Sequence, residues 1–362
     1  MGQNLSYEIK QLNESKGRTL SAIAKNISTI DENIPACKTL LVLNLSHNKI
    51  SSIPSIVVKD FPALRVVDLS YNNIPSLVPE IALLSNLCEF SVSNNNISSL
   101  PEEICQCTNL VELSLDNNKL ESLPNNLGNL VKLEKLTFHH NLIQEIPDSI
   151  ENLSLLIELD ASFNQLLNLN PLLCNCTDLR HLNASDNKIS EINGESISKL
   201  TRLKYINFGG NNLTNLPNEI TELINLQEFL LYYNNFSIFP LVLTNLWNLK
   251  VLDLQHNQIK NIPMQIASML SLKDLSLSSN LINNLPKELS VMDHLIKLNL
   301  QENPLVSALQ DIVKNHESKQ ITQEIYNVLS YGNATKGADI YLQQLEKLKE
   351  QYKQQIESQE MD

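Results

Sequence analysis

The chain has 362 residues, 42% of them hydrophobic, and sets 27 Lys and Arg against 40 Asp and Glu for a net charge of -13. Such an excess of carboxylates repels phosphate backbones and anionic lipid heads, which excludes nucleic acid as the natural partner. No basic stretch followed by an apolar segment opens the sequence, and no apolar run approaches the roughly 20 residues that span a bilayer, so a cytoplasmic protein is expected.

Residues 1–16 form an N-terminal segment that begins Met1-Gly2-Gln3-Asn4-Leu5-Ser6. It fits M-G-x-x-x-[ST], the pattern for myristoylation of Gly2 once Met1 is removed. One myristoyl chain holds a membrane only marginally. Lys10, Lys16 and Arg18 are offset by Glu8 and Glu14, and no cysteine lies nearby to take a second lipid. Membrane contact is therefore expected to be reversible and peripheral, on the cytoplasmic face. Residues 17–39 place Leu20, Ala22, Ile27 and Ile30 in the phase of the pattern that follows, and read as a degenerate capping coil.

From 40 to 305 the unit L-x-x-L-x-L-x-x-N-x-L begins at Leu40, Leu64, Leu87, Leu110, Leu133, Leu156, Leu179, Leu203, Leu226, Leu249, Leu272 and Leu295, twelve times at a spacing of 23 residues, or 24 twice. The ninth position is always Asn, from Asn48 to Asn303. A sharp turn after each strand leaves backbone groups inside the coil that no ladder satisfies, and a carboxamide both donates and accepts there. The leucine columns bury each coil against its neighbours only, as in a solenoid. Eight repeats run on into a proline (Pro54, Pro101, Pro124, Pro147, Pro217, Pro240, Pro263, Pro286), which removes a backbone donor where the chain leaves the ladder. The expected fold is α/β: a leucine-rich-repeat solenoid with a curved parallel sheet on its concave face and short helices or irregular arcs on its convex face. Both one-residue insertions, before Leu64 and near Gly194, fall in those arcs, where they leave the strand register intact.

Residues 306–362 should close the array with a C-terminal helical cap and a terminal helix. Leu309, Ile312, Val313, Ile321, Ile325, Val328 and Leu329 follow helical spacing, and Leu342, Leu345, Leu348, Tyr352 and Ile356 form a last apolar stripe among Glu, Gln and Lys. That stripe either packs on the cap or meets a partner helix.

The strings LVLNLSHNKISSIP, LVELSLDNNKLESLPNNLGNL and LKYINFGGNNLTNLPNEITEL resemble intracellular leucine-rich-repeat proteins of the Ras-suppressor and Ras-scaffold type, over about 17 to 305. The resemblance implies a non-catalytic scaffold in intracellular signalling, with a Ras-family GTPase or a protein phosphatase as partner. An extracellular adhesion or recognition protein, the less favoured alternative, would need a signal peptide and cysteine-paired caps.

Chemistry is hard to place elsewhere. Cys105 and Cys107 lie three coils from Cys174 and Cys176, roughly 14 Å at the spacing of parallel strands, too far for one zinc ion or a disulfide. Cys37, Cys107 and Cys176 share a column with Leu84, Leu130 and Leu223 and read as core filler. The adjacent His139 and His140 cannot share one strand face as a metal pair would. Lys204-Tyr205-Ile206-Asn207-Phe208 matches a short motif used to dock on phosphatase catalytic subunits, yet Ile206 and Phe208 fall in core columns. Sequons at Asn44, Asn96, Asn152, Asn183, Asn212 and Asn235 arise from the repeat itself. No nucleophile with a matching base and no phosphate loop appears, so no enzyme, no metal and no cofactor is expected.

Function should reside on the inner face, at the third, fifth and seventh positions with the eighth at the rim. Glu112, Asp116, Glu158 and Asp160, with Glu89 before them, make an acidic stretch suited to a basic partner surface. Further on, Tyr205, Glu228, Leu230, Tyr232, Tyr233, Asp253, Gln255 and His256 mix aromatic, apolar and charged groups, as protein-binding sites do. Oligomeric state is not legible.

Overall fold

The computed structural model describes residues 17–30, 36–292 and 294–306, with Ile9, Lys10, Leu12, Glu14, Leu309 and Gln310 beside them. Gly2 and the cap and terminal helix expected beyond Gln310 lie outside the described residues. The chain divides into two compact units, Met1–Leu213 and Thr214–Asp362.

In the first unit each coil contributes one three-residue strand: β1 Thr19–Ser21, β2 Val42–Asn44, β3 Val66–Asp68, β4 Glu89–Ser91, β5 Glu112–Ser114, β6 Lys135–Thr137, β7 Glu158–Asp160, β8 His181–Asn183 and β9 Tyr205–Asn207. They pair in chain order and all in parallel, so equivalent repeat positions face each other, as in Leu113↔Leu136 and Leu136↔Leu159. The second unit repeats this with β10 Glu228–Leu230, β11 Val251–Asp253, β12 Asp274–Ser276 and β13 Lys297–Asn299. Alternation across each strand buries its central residue, fully so for Leu113, Leu136 and Leu252, and turns the residues on either side outward.

After each strand the eighth position takes a left-handed backbone, with φ from 49° at Tyr233 to 64° at Gly210. That turn aims the ninth-position Asn inward, where it is buried in most coils. Asn141 is representative: its Oδ1 accepts from Leu120 N (2.9 Å), and its Nδ2 donates to the carbonyls of Leu115 (3.1 Å) and Phe138 (2.9 Å). Each carboxamide thus ties its own coil to the preceding one and satisfies groups that would otherwise be stranded.

The return arcs follow coil length. Nine coils of 23 residues close with 3-10 turns: Pro79–Leu83, Glu102–Gln106, Leu127–Asn129, Asp148–Asn152 and Pro171–Asn175 in the first unit, Asn218–Glu222, Leu241–Asn245, Met264–Ser268 and Lys287–Val291 in the second. The two coils of 24 residues hold the two α-helical arcs, Ser55–Asp60 and Gly194–Ile197. An α turn takes 3.6 residues where a 3-10 turn takes three, so the added residue is absorbed by changing helix type and the strands stay in register. Pro101, Pro147, Pro217, Pro240, Pro263 and Pro286 stand just before the turns, and their carbonyls accept from the residue three places on, as Ile104 N does to Pro101 O (3.1 Å).

The cysteines are unpaired, and all but Cys88 are buried. Sγ of Cys107 donates to Ile81 O and that of Cys176 to Ile150 O. Burial pushes the Cys107 thiol up to about 11 and those of Cys105 and Cys176 up to about 12, so these groups stay protonated and inert near neutral pH. Among the described residues no three His, Cys, Asp or Glu side chains converge as metal ligands would, and no helix is long and apolar enough to cross a membrane.

Candidate protein-binding face

Three columns of side chains project from the strands. In the first unit Glu112, Lys135 and Glu158 stand side by side in register on β5, β6 and β7, with Lys135 Nζ 3.8 Å from one carboxylate and 3.5 Å from the other. The acidic stretch read from the sequence is therefore divided by a lysine, which pairs with both glutamates through half-exposed contacts worth little energetically. Asp116 is largely withdrawn from solvent. It accepts from Thr137 Oγ1 (2.8 Å) and His139 N (3.0 Å), and His139 Nε2 lies 3.7 Å from its Oδ2. Burial raises its carboxyl above the ordinary range, against the lowering effect of Thr137 and His139.

Asp160 and Asp253 are occupied by the turn that follows them. Asp160 Oδ1 accepts from both the backbone N and Oγ of Ser162, and Asp253 Oδ1 accepts from Gln255 N (2.9 Å). Asn44, Asp68, Asn183, Asn207 and Asn299 do the same in their own coils. The fifth column is thus a turn-capping column wherever it holds Asp or Asn, and burial raises the Asp253 carboxyl as well.

The eighth column carries an organisation that sequence reasoning missed. His47 stacks on Tyr71 at 4.2 Å between ring centroids, His140 on Phe163 at 4.0 Å, and in the second unit Tyr233 on His256 at 4.0 Å with the rings 6° from parallel. Equal left-handed backbones one coil apart make the rings lie flat on each other. Tyr71, Phe163 and Tyr233 still expose about half their surface. Tyr205, in the first unit, is half-buried with its ring 6.1 Å from that of His181. The signal available in the sequence was the recurrence of His, Tyr and Phe one place before the invariant Asn.

The repeats serve as controls for one another. Fifth-column residues are Asn, Asp, Ser or Thr in every coil but one, where Leu230 stands. Seventh-column residues are polar or Gly in every one of the twelve repeats but the same one, where Tyr232 stands, while the capping coil before them carries Ile23. Beside them Tyr232 meets Tyr233 edge-on at 6.2 Å, and Tyr233, 56% exposed, leads the stack onto His256. Glu228, Asp253 and Gln255 border this group, Gln255 Oε1 accepting from Ser278 Oγ, while Asp274 is paired with Lys297 at 3.0 Å. The second unit thereby gathers Leu230, Tyr232, Tyr233 and His256 into one apolar and aromatic surface with a carboxylate border.

Residues 16–168 and 161–348 match the leucine-rich repeat region family. The chain is a leucine-rich-repeat protein. No curated protein matches it. Among solved structures it is similar to an internalin of Listeria monocytogenes (23% identity, TM-score 0.74, covering 84% of this chain and 91% of that one). A leucine-rich-repeat protein of Leptospira interrogans is also similar (25% identity, TM-score 0.55, 86% and 96% covered). So is the leucine-rich-repeat ectodomain of the Arabidopsis receptor kinase HAESA in complex with a peptide hormone, IDA (25% identity, TM-score 0.66, 81% of this chain and 51% of that one). A leucine-rich-repeat protein is a framework for protein–protein recognition, and its specificity lies in the outward columns rather than in the leucines.

Proposed function

We propose that this leucine-rich-repeat protein is a non-catalytic scaffold of intracellular signalling that docks a protein partner on its strand-side face, with Leu230, Tyr232, Tyr233 and His256 as the anchor. The observation that carries the reading is the break of two columns, otherwise polar or Gly across the twelve repeats, in a single repeat. A solvated column needs no large apolar residue, and the cost of exposing Tyr233 and half-exposing Leu230 and Tyr232 is offset when a partner covers them. Resemblance of the repeat strings to Ras-suppressor and Ras-scaffold proteins supports a Ras-family GTPase as that partner. The M-G-x-x-x-[ST] start supports myristoylation of Gly2 and reversible membrane contact, with the rest of the protein in the cytoplasm. A phosphatase regulatory role through the 204–208 motif is disfavoured, since Ile206 and Phe208 are fully buried and exposing them would unfold their coil.

Capture of partners from the protein's own cells tests this. Replacing Tyr232 and Tyr233 by Ala should cut recovery of the bound protein at least about tenfold, the equivalent of one or two interface anchors, with Tm unchanged. Undiminished recovery sinks the docking assignment. Mass spectrometry of the terminus reads the lipid separately: a free or acetylated Gly2 in cells able to myristoylate removes the membrane part of the proposal and leaves the rest.

A further inference from the structure

The same internal control that marks the strand side also marks the arc side of the second unit. The thirteenth repeat position is exposed in every coil the structure describes there. It holds Ser52, Ser76, Ser99, Ser122, Glu145, Asn168, Glu191, Asn215, Asn261 and Asn284, and in one coil Ile238, which is 76% exposed. The sixteenth position is polar, Pro or Gly from Ser55 through Asn218 and again at Lys287, but Leu241 and Met264 occupy it in two consecutive coils, 51% and 56% exposed. Ile238 and Leu241 flank Pro240 in one coil, and Met264 opens the next arc, which touches the first through Ser268 Oγ donating to Thr244 O (2.9 Å). Three neighbouring apolar side chains thus interrupt two polar columns on a surface remote in sequence position from the strand-facing columns.

We propose that this arc patch is covered by the chain's own C-terminal segment, through the stripe Leu342, Leu345, Leu348, Tyr352 and Ile356. Three observations select this occupant over a second copy or a separate protein. The stripe recurs every three or four residues, so as a helix it offers one apolar edge, and its Glu, Gln and Lys neighbours stay solvated when that edge is covered. The link from Gln310 to Leu342 is residues 311–341, and even a flexible chain of that length spans about 30 Å, whereas the last strand's coil is only two or three coils, about 10 to 14 Å, from the patch. Three side chains are far too few for the roughly 1,000 Å² that a free-standing interface needs, but a tethered segment is presented at an effective concentration on the order of millimolar. This inference does not depend on the proposed docking of a partner at Tyr233, which is built on the opposite columns of the repeat.

Hydrogen–deuterium exchange of the full-length protein tests it. Ile238→Asn, Leu241→Asn and Met264→Lys together install residues that the same columns carry in adjacent coils, so the solenoid is kept. In the wild type, amides of residues 342–356 should exchange at least about tenfold more slowly than in the triple variant, with strands β10 and β11 unchanged in both. Reciprocally, Leu345→Asn with Leu348→Asn should speed oxidation of Met264 by peroxide severalfold. Equal exchange of 342–356 in wild type and triple variant overturns the proposal. So does a concentration-dependent mass in sedimentation that the triple variant abolishes, which would make a second copy the occupant.

Discussion

Two residues set the geometry of every coil, and they act in opposite energetic senses. The eighth residue adopts a left-handed backbone that costs a non-glycine side chain about 1–2 kcal/mol, and eleven of the twelve repeats accept that cost with His, Tyr, Asn, Phe, Asp, Ser or Glu. The ninth residue offsets it, because its carboxamide satisfies several buried backbone groups, each of which would cost about 1–3 kcal/mol if stranded. Asn141→Ala should therefore lower stability by about 1–3 kcal/mol, read from the urea midpoint, since it orphans Leu120 N, while Leu115 O keeps its second donor, Asn118 Nδ2 (3.0 Å). A loss under about 1 kcal/mol would mean that water or a backbone shift replaces the ladder. Asp116 adds a pH-dependent cost. Its folded-state carboxyl is raised by burial, so the native state holds the proton more tightly than the unfolded chain, and stability falls as pH rises through the ordinary carboxylate range toward that raised value. Asp116→Asn should have the higher urea midpoint near neutrality, with the difference shrinking toward pH about 4. An unchanging difference across that window would show that the hydrogen bonds from Thr137 and His139 outweigh burial. The asparagine column was legible in the sequence because it never varies. The left-handed turn before it was not, because only Gly210 and the occasional Asn or Asp there advertise that conformation, and the stacked rings depend on a backbone geometry that no residue type announces.

At the scale of the element, strands and arcs differ in how closely sequence fixes them. Strand positions follow from the L-x-L alternation, and the second-position to fifth-position backbone bonds run on into the turn, as Leu115 N to Thr137 O (2.8 Å) and Asn117 N to His139 O (2.8 Å) show. Arc conformation depends on one residue of length, and the sequence located both insertions without revealing that each converts a 3-10 turn to an α turn. The shortest arc, Leu127–Asn129, is held by close approach: a Cβ on Gly128 would meet Ser149 O at 2.1 Å and Asn152 Nδ2 at 2.9 Å. Gly128→Ala should thus push neighbouring arcs apart and cost about 1–3 kcal/mol, whereas Asn129→Ala, at an exposed position in the same turn, should cost under about 0.5 kcal/mol. Thermal melts of the two variants decide it, and equal Tm values would mean that the arcs are free to shift.

For the whole molecule, the repeat makes fold and function legible to different degrees. Twelve matching coils leave the architecture in no doubt, and the core columns Leu113, Leu136 and Leu252 sit where the periodicity puts them. The candidate site was legible only in part: Tyr232, Tyr233 and His256 stand together on the second unit, but Asp160 and Asp253 also serve their own turns, and Lys135 interrupts the acidic stretch. The periodicity shows which columns face out, while the work that a carboxylate does within a turn emerges only from its distances. Comparing each column with itself across coils then singles out Leu230 and Tyr232 without any relative to align.

On the proposed docking, a protein partner sits on the strand-side columns around Tyr233. A photo-reactive phenylalanine analogue placed at Tyr233, and in a second protein at Asn245 on the exposed arc of the same coil, tests it directly in the protein's own cells. Irradiation should give a discrete adduct of higher mass, carrying one partner, from position 233 and none from 245. An adduct from 245 with none from 233 would place the partner on the arcs and contradict the account.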